Sequence, residues 1–470
     1  SACLVGSEMC IRDRFHRPFV FFIYSHISLG QVYPGQMDST FVPVRSHHYD
    51  PELTFDFCVN EPAWSNQAGI HSAFGSTDRL YFRKEVPVNH DNDLSSSYST
   101  TVWRGERANA QILVWSSEAL EQVRVSTQDL RSAEGNIIPK DRITFELVRY
   151  VLSNYPYAEK KAICGESPYK SGFLMPDRFE TLDRFDLPSQ TTRPVWMMVD
   201  VPRGTAPGTY KGKVEVRAKG KAPQLLNLEI VVQNQLLPYP KDWKYRLDLW
   251  QNPWAVAWYN HVEPWSPEHK MLLKQHLKHY ADAGGTYITT YGVHSPWSDN
   301  SYMIEGGMIE WIKKADGTWA FDYKIFDEYV ELAMECGIDE AITLYTPIPW
   351  GFRHRYKDEA TGDYSYINWA PSSEEFKKMW NIFLTDFKFH LEAKSWLDIT
   401  YIGINENPME ETLAAIHVVR NHDKCWKITY AGNWHKELDG LLDDYSFLYG
   451  EEPTITEQKA RTATGRTSTV

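Results

Sequence analysis

The sequence predicts a multidomain chain: an N-terminal β-sandwich followed by a (β/α)8-type barrel that reads as incomplete. Three observations predict it. From Leu80 to about Val232, short runs of alternating apolar and polar residues are separated by turn residues, the pattern of a sandwich. Leu236-Leu237-Pro238-Tyr239-Pro240 then ends the last run, because paired prolines force an extended chain and remove ladder donors. Beyond it, strand-like and helix-like periods alternate, which calls for a parallel sheet covered by helices. The reading divides the chain into 1–30, set apart from the fold, 31–238 as the sandwich, and 241–470 as a truncated barrel.

In the first domain the strand candidates are Thr101-Val102-Trp103, Ala110–Trp115, Val123–Ser126, Ile143–Val151, Pro194–Val201 and Lys213–Ala218. Arg104-Gly105, Glu134-Gly135-Asn136, Ala206-Pro207-Gly208 and Lys219-Gly220-Lys221 are the turns, since glycine supplies positive φ and proline presets the turn's first φ. In the second domain Arg246–Gln251, Thr286–Tyr291, Ala341–Thr346, Ile399–Asn405, Trp426–Ala431 and Tyr445–Tyr449 read as strands. Pro267–Gly284, Tyr323–Cys336, Ser373–Ala393 and Met409–Arg420 read as helices. Pro267 suits a first turn, Leu272, Leu273, Leu277 and Tyr280 recur at helical spacing, and Gly284-Gly285 is a stop. Gly292–Thr318 and Gly351–Pro371 read as long loops. Six strands are read where a closed barrel needs eight, and Ser468–Val470 would enter a seventh.

Composition narrows the partners. Asp and Glu number 62 against 49 Lys and Arg, a net charge of -13. That balance argues against nucleic acid or an anionic membrane as the main partner. There is no run of about 18 apolar residues, so no spanning helix is expected. The cysteines, Cys3, Cys10, Cys58, Cys164, Cys336 and Cys425, lack metal-site spacing and are too sparse for a disulfide framework. No metal and no cofactor is implied. Ser7–Arg14 reads as adaptor-derived sequence, and Phe19–Ile23, behind Arg12, Arg14 and Arg17, reads as the apolar core of a signal peptide. The expectation is a secreted or periplasmic protein, of unspecified oligomeric state. Aromatic residues make up 14% of the chain, with Trp250, Trp254, Trp297, Trp350 and Trp434 near strand ends. Rings at a pocket suit the apolar C–H faces of sugars, although most tryptophans serve cores.

The stretch of greatest chemical interest is Ile399–Glu411. A β-branched run stops at Asn405-Glu406, Pro408 follows, and a helix-like segment begins at Met409. In a barrel the chemistry sits where strands end, so Glu406 is a candidate acid with Asn405 as its helper. The same pair also suits a helix start, with Asn405 as a cap and Glu406 as a first-turn acid. Asp248, His294, Trp297, Tyr345, Trp350, Asn433, Trp434 and Tyr449 lie in or just after other strands. Two or three of them are expected to touch sugar and the others to pack.

The run from about Thr101 to Val470 resembles the glycoside hydrolase family 123 proteins. The resemblance is carried by Val102-Trp103-Arg104-Gly105-Glu106, Pro194-Val195-Trp196, Ala206-Pro207-Gly208-Thr209-Tyr210, Leu247-Asp248-Leu249-Trp250-Gln251-Asn252-Pro253, Gly317-Thr318-Trp319-Ala320-Phe321-Asp322-Tyr323 and Asn405-Glu406, in that order. It implies hydrolysis of terminal β-linked N-acetylgalactosamine on a glycan, with retention, and with the substrate's 2-acetamido group as nucleophile. It implies Glu406 as general acid/base. The family carries Asp-Glu where this chain has Asn405-Glu406, so Asn405 would orient the acetamide through a neutral carbonyl, a weaker acceptor than a carboxylate. A hexosaminidase for another 2-acetamido sugar and a weakly active or inactive carbohydrate-binding relative are the alternatives. Adjacent carboxylates on a strand point to opposite faces and do not easily straddle a glycosidic bond; substrate-assisted hydrolysis removes that need.

Overall fold

The computed structural model describes residues 61–87, 94–153, 173–244, 247–297, 306–447 and 453–469. The adaptor-like segment, the apolar run Phe19–Ile23, and Tyr449 lie outside these. The chain divides into two compact units, with the break in sequence between Pro238 and Tyr239.

The first unit is built of strands β1 (His71–Gly75), β2 (Ser97–Arg104), β3 (Arg107–Ser116), β4 (Leu120–Thr127), β5 (Leu130–Arg131), β6 (Ile137–Ile138), β7 (Ile143–Ser153), β8 (Phe173–Glu180), β9 (Phe185–Leu187), β10 (Thr191–Asp200), β11 (Gly208–Arg217) and β12 (Gln224–Leu236). One sheet runs β1-β3-β10-β7-β8, and a second runs β2-β12-β11-β4-β9, with β5 paired to β11 and β6 paired to β5. From Leu226 to Val232 every second residue of β12 is buried, namely Leu226, Leu228, Ile230 and Val232, as the period of a half-buried strand requires. These side chains share one apolar cluster with Ile112, Val114, Val195 and Met197 of the other sheet. The unit is therefore two β layers over one core.

The second unit alternates in type. Its elements are α1 (Pro253–Tyr259), α2 (Pro267–Asp282), β13 (Tyr287–Tyr291), β14 (Glu310–Lys313), β15 (Trp319–Asp322), α3 (Lys324–Glu335), β16 (Ala341–Tyr345), β17 (Arg353–Asp358), β18 (Tyr364–Asn368), α4 (Glu374–Lys394), β19 (Thr400–Ile404), α5 (Met409–His422), β20 (Lys427–Gly432), α6 (Lys436–Asp439), β21 (Asp444–Phe447), α7 (Ile455–Ala463) and β22 (Thr467–Thr469). The helix boundaries follow local chemistry. Ser266 caps α2 by accepting from the His269 N–H (3.2 Å), and Ser373 caps α4 by accepting from Phe376 (3.1 Å). Gly284 and Gly337, at φ 90° and 93°, end α2 and α3 in the left-handed region.

A parallel sheet in the order β13-β16-β19-β20-β21-β22 forms the centre of this unit. One face carries Ile288, Ile342, Leu344, Ile402, Ile404 and Ile428, which cluster with Leu273 and Leu277 of α2, Phe326 and Val330 of α3, Phe383 and Phe387 of α4, and Ile416 and Val419 of α5. The opposite face carries a row set by the ladder register: Tyr291, Tyr345, Gly403, Thr429, Asp444 and Thr467.

Two expectations are corrected here. Arg246–Gln251 does not form a ladder strand among the described residues; it makes one parallel bridge, Leu247 to Gly285. Asn252 already caps α1, so the chain turns away too soon. The Gln251 side chain stands in for the missing ladder: its Oε1 accepts from the Thr289 N–H (2.8 Å), and its backbone carbonyl accepts from the Tyr291 hydroxyl (3.0 Å). A second small sheet, β15-β14-β17-β18, also forms within the two long loops and, for β15, just after the first of them. Its two antiparallel hairpins come from different loops and join through the parallel β14–β17 pair. Thr467–Thr469 takes the sixth place in the parallel sheet, where the sequence had only hinted at a strand.

Phe383 is fully buried and stacks on Trp311 and Phe387 with ring centroids 4.8 and 5.3 Å apart. Phe383→Ala is expected to destabilise the second unit by ~3–5 kcal/mol. A denaturant titration followed by tryptophan fluorescence checks this.

Candidate active site

Strand β19 ends at Ile404, and the next two side chains part. Asn405 turns toward the end of β13. It is 3% exposed, and its Oδ1 accepts the indole N–H of Trp297 at 3.1 Å. An indole only donates, so the amide oxygen must face it. The amide nitrogen then lies 3.5 Å from the Pro296 carbonyl, and the backbone N–H of Asn405 donates to the Thr346 hydroxyl (3.3 Å). The Trp350 N–H donates to the same Pro296 carbonyl at 3.0 Å. Three βα connections thus meet around Asn405. Its carbonyl has a second lone pair beyond the bond from Trp297.

Glu406 turns the other way, toward β20. A methyl group on Gly432 would lie 2.5 Å from Glu406 Oε1 and 2.7 Å from the Tyr430 hydroxyl. Only glycine lets the carboxylate and the phenol come this close to the strand. Burial raises the Tyr430 phenol well above its ordinary value, and the charge of Glu406 adds to that. Asn433 and Trp434 follow directly. The Asn433 carbonyl accepts from the Tyr445 hydroxyl (2.6 Å), and Trp434 lies against Tyr445 and Phe447, 5.2 and 5.6 Å between centroids.

Beneath Asn405 lies an aromatic layer. Trp250, Trp297 and Tyr345 touch one another with centroids 4.9–5.3 Å apart. Trp297 is 5% exposed and Tyr345 1%, so both pack, while Trp250 is half-buried. A side chain at Gly403 would meet Thr343 and the Tyr345 ring at 3.0 Å. Close enough to act on Tyr345 is a pair of acids. Asp248 has one oxygen fully buried with no hydrogen-bond partner among the described residues. Burial, and secondarily the charge of Asp444, push its carboxyl up to about 7. Asp444 is itself buried and accepts from the Thr429 hydroxyl (3.4 Å) and from Thr467. Both acids, after burial, help to raise the Tyr345 phenol.

His294 faces another neighbour, the small sheet. Its imidazole is pushed down to about 4 by burial and then by the guanidinium charges of Arg355 and Arg353. The structure therefore gathers Asn405, Trp297, Tyr345 and the Trp350 backbone at one place, with Asp248 near Tyr345. Glu406 stands beside Gly432, next to Asn433 and Trp434, and Tyr449 is outside the described residues. Tyr430, Gly432, Thr346 and Asp444 were not singled out from sequence. Only the glycine closing the β20 run carried any signal, since glycine at a strand end often marks a close approach.

Comparisons with known proteins agree on a class. The sequence profile of the glycoside hydrolase 123 catalytic domain matches residues 250–470, and that of the glycoside hydrolase 123 N-terminal domain matches 74–218. Among solved structures, a family 123 glycoside hydrolase from Clostridium perfringens, studied for glycolipid glycan hydrolysis, is 25% identical with a TM-score of 0.76, covering 85% of this chain and 71% of its own. A xyloglucanase of glycoside hydrolase family 5 from Bacteroides ovatus matches at 10% identity and a TM-score of 0.23, covering 75% of this chain and 70% of its own, too weak a likeness to argue from. No curated protein matches. The fold and these matches define a glycosidase of two units, β-rich and then α/β. The chain belongs to glycoside hydrolase family 123.

Asp248 yields a pH prediction. Its folded pKa of about 7 lies above the ordinary 3.8, so the folded state prefers the neutral acid. Its stabilising contribution is full at low pH and is lost as pH rises toward about 7. Asp248→Asn stays neutral throughout. A stability gap in favour of the variant is expected to open between about pH 4 and about pH 7, measured by denaturation across that range.

Proposed function

We propose that this chain is a retaining glycosidase that releases terminal β-linked N-acetylgalactosamine from glycans by substrate-assisted catalysis. The observation that carries the reading is the parting of Asn405 and Glu406 at the end of β19, one toward β13 and the other toward β20. The acetamido oxygen of the substrate attacks C1 and forms an oxazoline-like intermediate. Glu406 protonates the leaving oxygen, then takes a proton from the incoming water. Asn405 accepts the acetamide N–H on its remaining lone pair, while Trp297 holds the carbonyl in place. Substrate-assisted families are an exception to the two-carboxylate rule, and one acid beside one fixed acceptor suits that exception. We further propose that the parallel sheet is the larger part of a (β/α)8 barrel, that the β-rich unit is a sandwich, and that the protein acts outside the cytoplasm. The glycolipid glycans associated with the Clostridium perfringens relative are one source of such a sugar.

A second reading is a carbohydrate-binding relative with little turnover, favoured by the neutral Asn405 where the family pattern has an acid. Nitrophenyl glycosides of β-N-acetylgalactosamine, β-N-acetylglucosamine and β-galactose separate the two. Turnover is expected on 2-acetamido sugars and absent on the galactoside, which has no acetamide to attack. Turnover of the plain galactoside would sink the mechanism. Silence on all three, with sugar still bound, would favour the binding protein.

Glu406→Gln is expected to lower kcat by about 10²–10⁴-fold with sugar binding kept. Asn405→Ala is expected to lower it about 10²-fold, the scale of one lost transition-state hydrogen bond. Gly432→Ala, which places a methyl against both the Glu406 carboxylate and the buried Tyr430 ring, is expected to cut kcat and to lower stability as well, whereas Glu406→Gln leaves the melt unchanged. Steady-state kinetics beside thermal melts tell these effects apart.

A further inference from the structure

The small sheet β15-β14-β17-β18 has two unlike faces. One is core: Trp311, Phe321 and His354 pack with Trp369, Trp380 and Phe383. The register defines the other, because cross-strand partners share a face. There Arg353 lies opposite Asn368, Arg355 opposite Tyr366, and Lys357 opposite Tyr364. Ile312 sits beside Lys357, and Glu310 and its partner Asp322 complete the row. In a chain of net charge -13, this face holds three cations against two acids.

The guanidiniums are pre-positioned. Arg353 lies over the Tyr366 ring at 3.8 Å and Arg355 over the Tyr364 ring at 4.1 Å. Tyr364 is fixed in turn by donating its hydroxyl to Glu310 (2.9 Å), and Arg355 lies 3.6 Å from the same carboxylate oxygen. Their bonding is incomplete. The Arg353 guanidinium has no hydrogen bond or ion pair among the described residues, and the Nε of Arg355 is buried without a hydrogen-bond partner. A guanidinium stacked on a ring keeps its N–H edge open, in the fork that fits carboxylate and sulfate oxygens.

The face begins at the rim of the candidate active site. Arg353 follows the Trp350–Phe352 turn, and the Trp350 N–H holds the Pro296 carbonyl that Asn405 also approaches. The backbone of His294 touches Gly307, just before β14; a methyl there would lie 3.2 Å from the His294 Cα. We propose that Arg353 and Arg355 form a subsite for an anionic group, a carboxylate or a sulfate ester, on the sugar next to the one cleaved. The inference rests on the glycosidase reading and names its substrate class as acidic glycans.

Calorimetry with the full chain carrying Glu406→Gln tests it without turnover. The probes are N-acetylgalactosamine β-linked to glucuronate, to a sulfated galactose, and to plain galactose. At least one acidic disaccharide is expected to bind about tenfold tighter than the neutral one, the scale of one charged hydrogen bond. Which acid gains more tells carboxylate from sulfate. The gap is expected to shrink with salt and to close when Arg353→Gln and Arg355→Gln are added. Arg353→Gln alone, at an exposed position, guards against misfolding and should narrow it. Hydrolysis of the nitrophenyl glycoside by the wild-type chain, measured alongside, reads the glycosidase mechanism separately from the subsite. Equal binding of all three probes, or a gap that survives loss of both arginines, would overturn the subsite. A gap with no nitrophenyl hydrolysis would leave the subsite standing and refute the glycosidase reading.

Discussion

The parallel register of β13, β16, β19, β20, β21 and β22 is the constraint on which the second unit depends. Because side chains alternate and neighbours in a ladder share a face, the register sends the isoleucines and Leu344 into the helices. It also lines Tyr291, Tyr345, Gly403, Thr429, Asp444 and Thr467 in one row on the other face. The open edge of β13 is tied down by Gln251, whose amide oxygen replaces a strand's carbonyl. A shift of one residue would exchange the two faces and bury polar groups among the helices.

The end of β19 sends two polar side chains to different neighbours. While the strand lasts, neighbours point apart; once it stops, Asn405 is caught by Trp297 and Glu406 falls against Gly432. The layers below are costly to build. Asp248 and Asp444 sit buried near one another, and burial with like charge favours the neutral form of Asp248. A neutral amide at position 405 adds no further like charge to this unit. Trp297, in contact with Trp250 and Tyr345, keeps the Asn405 carbonyl aimed.

The connections after β13 and β16 build a second small sheet onto the parallel one. Each contributes a hairpin, and neither hairpin alone has a core. Joined through β14 and β17, they bury Trp311 and His354 on one face and leave arginines and tyrosines on the other. The same charges act on His294 at the strand end.

Periodicity, proline and glycine determined much of the architecture from sequence: the β-rich first unit, the break near Pro238, the strand–helix alternation, and the stops at Gly284 and Gly337. These are local properties, written within a few residues of where they act. The Asn405-Glu406 pair was legible for the same reason, as a polar stop to a β-branched run. What lay beyond reach was non-local. The small sheet pairs strands from two separate loops, Asn405 meets Trp297 across the sheet, and Gly432 matters only because Glu406 leans on it. The failure of Arg246–Gln251 as a strand has the same origin, since its pattern suits a strand and only the early start of α1 denies it the length. Sequence determined which residues could form each element, and tertiary structure decided which side chains meet, because those meetings depend on register and distance in space.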